Sequence, residues 1–348
     1  MGIKKKFIRA LVDFQLKLFE QLPVRNQLKD FANIACKELP ALENVNPPYE
    51  LGMQRGNAAS QRSDIVIVTS RFRSGSTFLW NIFRQTGGFT SYYEPFNERR
   101  WFDERFRGNE VDSTHRGVGD YWAEYSGMES LSRFYSEDWT RYRLLMGESD
   151  YDPNMQAYIE SLVESAPGRP VLQFNRIDFR LAWIKSHFPN AKLIHLYRHP
   201  RDQWCSFLTD KRLMNKNDVA ETYIDGFYLN RWCDDLATHF PFLDRRITAH
   251  PYQRFYYLWK LSFLFGKHYS DLSFSFEELI RSPDTCMERL FAVLGVENPP
   301  IPKLCSLVDA PEEGKWRKYA EPEWYEAFER ECEYQLDIFF QGNNGLVK

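Results

Sequence analysis

The run Asp64-Ile65-Val66-Ile67-Val68-Thr69 constrains this chain more than any other stretch of it. A short β-branched run with no polar face suits a strand buried on both sides, as in a parallel sheet covered by helices. Parallel strands need crossover connections, and the following residues supply one. Residues 70–76 (SRFRSGS) read as a tight loop, and residues 77–85 (TFLWNIFRQ) carry the apolar spacing of a helix. Strand, loop and helix in that order open a nucleotide-binding α/β sheet.

The same reasoning extends along the chain. Phe89–Tyr93, Pro170–Phe174, Lys192–Tyr197 and residues 271–276 read as further strands. Helices are expected over 178–188, from Pro200 onward, over 255–269 and over 283–295, the last closed by Gly295 as a C′ residue. Residues 97–165 form an irregular insertion, rich in Trp, Tyr, Arg and Glu, of the kind that carries substrate contacts. With 348 residues, 43% of them hydrophobic, the chain can bury the core of one large α/β domain over 64–348. Residues 1–63 read as a helical N-terminal extension and linker.

Two strings carry phosphate-binding chemistry. In the first, a loop between strand and helix can aim backbone N–H groups at an anion, with the helix N-terminus adding favourable dipole charge. Gly75 allows close backbone approach, Ser74, Ser76 and Thr77 bring hydroxyls, and Arg73 brings a planar cation. The GxxxxGK[ST] of nucleotide-hydrolysing loops is absent, so no Mg²⁺-triphosphate cradle is spelled out and no metal is expected. In the second string, Leu196-Tyr197-Arg198-His199-Pro200-Arg201-Asp202, an arginine ends a strand and Ser206 follows it by eight residues. Ligands of open α/β sheets bind beyond the carboxyl ends of the strands. Two such corners on one sheet imply a nucleotide phosphorylated at two places. An Arg198–Asp202 pair and a solvent-facing Ser206 are the plain structural alternative.

At these strings the chain resembles the sulfotransferases that use 3′-phosphoadenosine 5′-phosphosulfate (PAPS), whose desulfated product is 3′-phosphoadenosine 5′-phosphate (PAP). SRFRSGSTFLWNIF looks like the family's 5′-phosphosulfate loop, and KLIHLYRHPRDQWCSFL like its 3′-phosphate motif. The aromatic-rich segment Tyr92-Tyr93-Glu94-Pro95, the SFEEL–SP segment from Ser275 to Pro283, and Lys315-Trp316-Arg317 also resemble family features. The likeness runs from about Asp64 to Tyr319 and is nearest the carbohydrate (6-O) sulfotransferases and their bacterial relatives. It implies that Arg71, Arg73, Ser74, Gly75, Ser76, Thr77 and Phe78 meet the 5′ end of the donor. It further implies that Arg198 and Ser206 meet its 3′-phosphate. Two departures stand out: His199 occupies a position where many members have Asp, and Phe174-Asn175-Arg176 replaces the Lys-x-His that supplies a base in the small-molecule branch.

Sulfuryl transfer needs in-line positioning, cations at the sulfate and bridging oxygens, and a base for the acceptor hydroxyl. Arg73 is the expected leaving-group cation and Glu94 the expected base, with a structural carboxylate holding Arg71 or Arg73 as the alternative role for Glu94. Arg176 is expected at the transferred sulfate or the acceptor, or else in an ion pair with Asp178 or Glu94. Lys315, Trp316 and Arg317 are expected to cover the adenosine and 3′-phosphate. The acceptor is expected to be a saccharide, a glycolipid or a hydroxylated metabolite. A P-loop kinase-like enzyme and an inactive PAPS- or PAP-binding relative are the competing readings.

Lys and Arg number 45 against 48 Asp and Glu, a net charge of −3, so binding to nucleic acid by bulk charge is not expected. No apolar run approaches the about 20 residues of a membrane span. Residues 1–22 have amphipathic helical spacing (Phe7, Leu11, Phe14, Leu18, Leu22), for packing on the domain or for peripheral membrane contact. The six scattered cysteines read as reduced thiols, which suggests a cytoplasmic setting.

Overall fold

The computed structural model describes residues 58–308 and 314–342, apart from Ser113, Thr114 and Arg116. The expected N-terminal helix and most of the linker lie outside the described residues. Five strands form one parallel sheet: β1 (Val66–Ser70), β2 (Phe89–Tyr93), β3 (Arg169–Phe174), β4 (Lys192–Tyr197) and β5 (Leu272–Ser275), ordered β2-β3-β1-β4-β5. Helices of six residues or more are α1 (Ser76–Thr86), α2 (Pro153–Ser165), α3 (Leu181–His187), α4 (Pro200–Phe207) and α5 (Leu229–Leu236). They continue with α6 (Pro251–Tyr269), α7 (Phe276–Arg281), α8 (Pro283–Val293) and α9 (Pro322–Gly342). The chain is therefore α/β, a parallel sheet flanked by helices.

Every residue of β1 is buried. The strand's two-residue period splits it between layers: Val66 and Val68 join Leu79, Ile82 and Phe83 of α1 and Met287, Leu290 and Phe291 of α8 in one apolar cluster. Ile67 belongs to the opposite layer with Trp183 and Ile184 of α3. From β1 the chain runs to the β2 edge and back to β3, then crosses to β4 on the other side of β1. The strand order reverses between β1 and β4, and in open sheets ligands bind at such a reversal. Ser70 pairs with Leu196, so the loops after β1 and β4 leave neighbouring strand ends.

Four helices, α2, α5, α7 and α9, depart from the expected elements. The insertion is not irregular to its end, because α2 closes it. Asp152 caps that helix by accepting from the Met155 N–H, Pro153 opens it, and Met155, Tyr158, Ile159, Leu162 and Val163 bury one face. The remainder of the insertion is short turns such as Glu129–Arg133 and Glu137–Thr140. Helix α9 also has no counterpart among the expected elements. It lies along α6, where Tyr252 and Tyr256 donate to Glu329 and Glu333 at 2.6 Å each.

The approach of α6 to β4 leaves His195 enclosed. A Cβ on Gly266 would stand 2.4 Å from the imidazole, so only glycine lets the helix pass. Nδ1 of His195 bonds the Ser273 hydroxyl at 2.9 Å. Burial first, and Lys267 second, push the His195 pKa down to about 3. The unfolded chain therefore binds a proton here that the fold refuses, and this contribution is complete above about pH 6.5 and lost as pH falls toward 3. Denaturant titrations at pH 7 and pH 5 should show that His195→Asn loses about 2 kcal/mol less than the wild type over that interval.

Candidate active site

A cavity of about 1130 Å³ opens beyond the carboxyl ends of the strands. Three of its wall residues, Arg73 (φ 64), Glu94 (φ 38) and Tyr228 (φ 62), hold left-handed backbone although none is glycine. Such conformations cost on the order of 1–3 kcal/mol each and gather where function over-determines the chain.

The β1–α1 loop forms the first wall. Gly75, at φ 93, precedes α1 and packs so closely on Phe276 that a Cβ would stand 2.2 Å from the ring. In this geometry the first N–H groups of α1, from Ser76 and Thr77, have no intrahelical acceptor, and both residues line the cavity. The Thr77 hydroxyl lies 2.9 Å from that of Tyr93. Ser74 is turned inward, donating to the Arg71 carbonyl at 2.6 Å, so it shapes the loop rather than lining the cavity.

The corner beyond β4 stands against this loop. Nη1 of Arg198 donates to the Arg73 carbonyl at 3.1 Å, and Nε of Arg73 donates to the carbonyl and hydroxyl oxygens of Ser206 at 3.1 and 3.3 Å. Both motifs therefore form one wall, with Arg73 leaning toward the Ser206 corner. Nε of Arg198 is buried with no hydrogen-bond partner among the described residues. Burial lowers the Arg198 pKa from its ordinary value, while Asp202 and Glu277 oppose the shift. A half-buried guanidinium with an idle donor is suited to an incoming anion.

On the other side stands a buried charge network. Glu94 Oε2 accepts from Arg176 at 2.5 Å and from Asn97 at 2.7 Å, and Oε1 accepts from Asn175 at 2.5 Å. Arg176 reaches Glu98 at 2.8 Å, and Glu98 accepts from the Tyr228 hydroxyl at 2.6 Å. Burial works against the Arg176 charge, but Glu98 and Glu94 outweigh it and hold its pKa above the usual range. Burial likewise raises Glu98, yet Arg176 and the Tyr228 hydroxyl bring it below the carboxylate norm.

The structure thus brings Arg73, Gly75, Ser76, Thr77, Phe78, Glu94, Arg176, Arg198, Ser206 and Lys315 to one cavity. It does not bring Arg71 there. That guanidinium lies 3.5 Å from the buried Asp178 carboxylate and 4.6 Å from the Trp232 ring centre, because an interior carboxylate needs a cation. Trp316 and Arg317 stand outside the wall, with Trp316 buried in the neighbouring core. Glu94 holds Arg176, not Arg71 or Arg73, and Arg176 pairs with Glu94 and Glu98 rather than Asp178. Asn97, Glu98 and Tyr228 went unforeseen; Glu98 sits four residues past Glu94, a spacing that signals nothing in a loop.

A model of the sulfotransferase family matches residues 65–300. Solved structures similar to this chain include a sulfotransferase from Alicyclobacillus acidocaldarius, at 17% identity over 80% of this chain and 96% of that one, with a TM-score of 0.38. The sulfotransferase domain from the curacin biosynthetic pathway shares 16% identity over 80% of this chain and 98% of its own, with a TM-score of 0.40. A mouse sulfotransferase complexed with PAP shares 13% identity over 82% and 92% of the two chains, with a TM-score of 0.35. No curated protein matches the chain.

The Arg176 network makes a testable demand. Removing the cation leaves Glu94 and Glu98 facing each other in a buried site, at a cost of about 3–5 kcal/mol. Denaturant unfolding of Arg176→Met should show that loss. Adding Glu98→Gln, which removes one of the two charges, should recover part of it.

Proposed function

The chain belongs to the sulfotransferase family, and from that premise we propose that it transfers a sulfuryl group from PAPS to an acceptor hydroxyl on a saccharide, a glycolipid or a hydroxylated metabolite. The observation that carries the donor assignment is the contact between the two motifs. Arg198 donates to the Arg73 carbonyl, and Arg73 donates to Ser206, so two anion-binding corners share one wall. A nucleotide with phosphates at both ends fits that wall, and the idle Nε of Arg198 suits the 3′-phosphate. The β1–α1 loop supports the 5′ end, through the N–H groups of Ser76 and Thr77 and the Thr77 hydroxyl. No metal enters this reading, since Arg73 and Arg198 supply cationic charge.

The acceptor stands on the side of Glu94, Tyr93 and Tyr228. Sulfuryl transfer places charge mainly on the leaving oxygen, so cations beside that oxygen lower the barrier. Arg73 serves there. Three hydrogen bonds hold the Glu94 carboxylate, which in this reading takes the proton of the acceptor hydroxyl. Arg176 holds that carboxylate in place. The aromatic Glu94-Pro95 segment and the loop sequence favour acceptors of the carbohydrate branch. No helix among the described residues is long and apolar enough to cross a membrane. We place the enzyme in the cytoplasm, with peripheral membrane contact through residues 1–22 as the open variant.

Two measurements test this reading. Calorimetry should show metal-independent binding of PAP, far tighter than AMP, and Arg198→Ala should weaken it by about 2 kcal/mol, the value of a charge-assisted contact. Equal affinity for PAP and AMP would remove the donor assignment. For the base, Glu94→Gln should leave PAP affinity nearly unchanged, because Glu94 touches neither Arg73 nor Arg198. Single-turnover sulfate transfer should then fall by roughly 10²-fold or more. Weakened PAP binding in that variant would instead assign Glu94 to donor positioning.

A further inference from the structure

Arg198 precedes α4, and Asp202 and Ser206 follow at successive turns, which places them along one side of the helix. All three line the cavity. Arg198 and Ser206 suit a phosphate, but the carboxylate between them does not, since like charges at close range repel. Asp202 must stand there for another reason, and its hydrogen bonds supply one. Oδ2 accepts from the Gly314 N–H at 3.1 Å and Oδ1 from the Trp316 N–H at 3.3 Å. Both oxygens therefore grip the start of the turn Lys315–Lys318.

The Trp316 side chain seats the rest of this turn. The guanidinium carbons of Arg201 and Arg317 lie 4.8 and 4.3 Å from its ring centre, and the His199 ring runs parallel to it at 6.2 Å. Its carbonyl accepts from the Tyr325 hydroxyl at 3.2 Å. Among the described residues of the turn, Lys315 reaches the cavity wall.

We propose that Asp202 is a positioning residue for the donor: its carboxylate latches the Gly314–Lys318 turn to α4 and so holds Lys315 at the Arg198–Ser206 corner. The latch rests on the donor reading above. It makes a prediction opposite in sign to simple electrostatics. Asp202→Asn removes a negative charge from a phosphate site, which alone would tighten binding. The new amide nitrogen, however, meets an N–H donor where a carboxylate oxygen stood, and half of the latch is lost.

The experiment is calorimetric titration of PAP and AMP into the wild type, Asp202→Asn, Lys315→Met and the double variant. Asp202→Asn should weaken PAP about tenfold, the value of one charge-assisted contact, and leave AMP unchanged. Lys315→Met should do the same, and the double variant should bind no worse than the weaker single. Trypsin should cleave after Lys315–Lys318 faster in Asp202→Asn. Unchanged or tighter PAP binding in Asp202→Asn overturns the latch, as do effects that multiply in the double variant. Lys315 is exposed, so Lys315→Met tests the proposal without risk to the fold, and unchanged PAP affinity there also overturns it. A wild type that binds PAP no better than AMP overturns the donor reading itself, and the latch with it.

Discussion

The hydrogen bond from Arg198 to the Arg73 carbonyl is the contact on which the site depends. It joins the loops after β1 and β4, which are 125 residues apart in sequence and neighbours only because those strands pair. The left-handed backbone at Arg73 turns the loop so that its carbonyl meets Arg198 while its side chain reaches Ser206. Without the β1–β4 pairing, the two motifs would be separate helix entrances. With it, they are one wall carrying two guanidinium groups.

Charge is handled differently on the two sides of the cavity. Two interior cations beside the cavity are matched to carboxylates: Arg71 to Asp178, and Arg176 to Glu94 and Glu98. Such pairs add little net stability, but breaking one strands a buried charge, so they hold geometry. On the side of the two motifs the arginines bond mainly neutral oxygens, Arg73 to Ser206 and Arg198 to the Arg73 carbonyl, with the Asp112 carboxylate 3.9 Å from Arg73. Hydrogen bonds to neutral oxygens leave these guanidinium groups without a short ion pair, which suits that side to an anion. The neutralised side offers a carboxylate held at a set angle instead.

Most of the sheet was legible because its signals are local. Phe89–Tyr93 and Lys192–Tyr197 read as strands from β-branched and aromatic runs, and the structure keeps those bounds. Helix α2 was also written locally, in Asp152, Pro153 and the apolar spacing after them, but its signal was masked by the turn-rich residues before it. The partners within the site were legible only in part: of the two carboxylates read as alternatives for Arg176, Asp178 and Glu94, it pairs with Glu94. Nothing near Arg71 announces Asp178, and nothing near Arg176 announces Glu98, since a buried charge takes whichever opposite charge the topology brings. The same limit explains Trp316. Its flanking basic residues suggested a cover over the ligand, yet the ring fills a core gap beside Tyr325, and Lys315 faces the cavity.

These differences divide the cavity by the kind of element that builds it. The wall of the two motifs comes from a sheet reversal and two helix starts, with Asp202 and Ser206 one turn apart on α4. Such a wall cannot shift without moving β1 or β4, whose residues fill the core on both faces. The opposite wall comes from loops: Glu98 from the insertion, and Tyr228 from the left-handed turn into α5. Those loops meet through side-chain bonds such as Tyr228 to Glu98, not through sheet pairing. Loop residues tolerate substitution more readily than strand residues. On the proposed function, this loop-built side is where a chain of this architecture can change its acceptor while its donor stays the same.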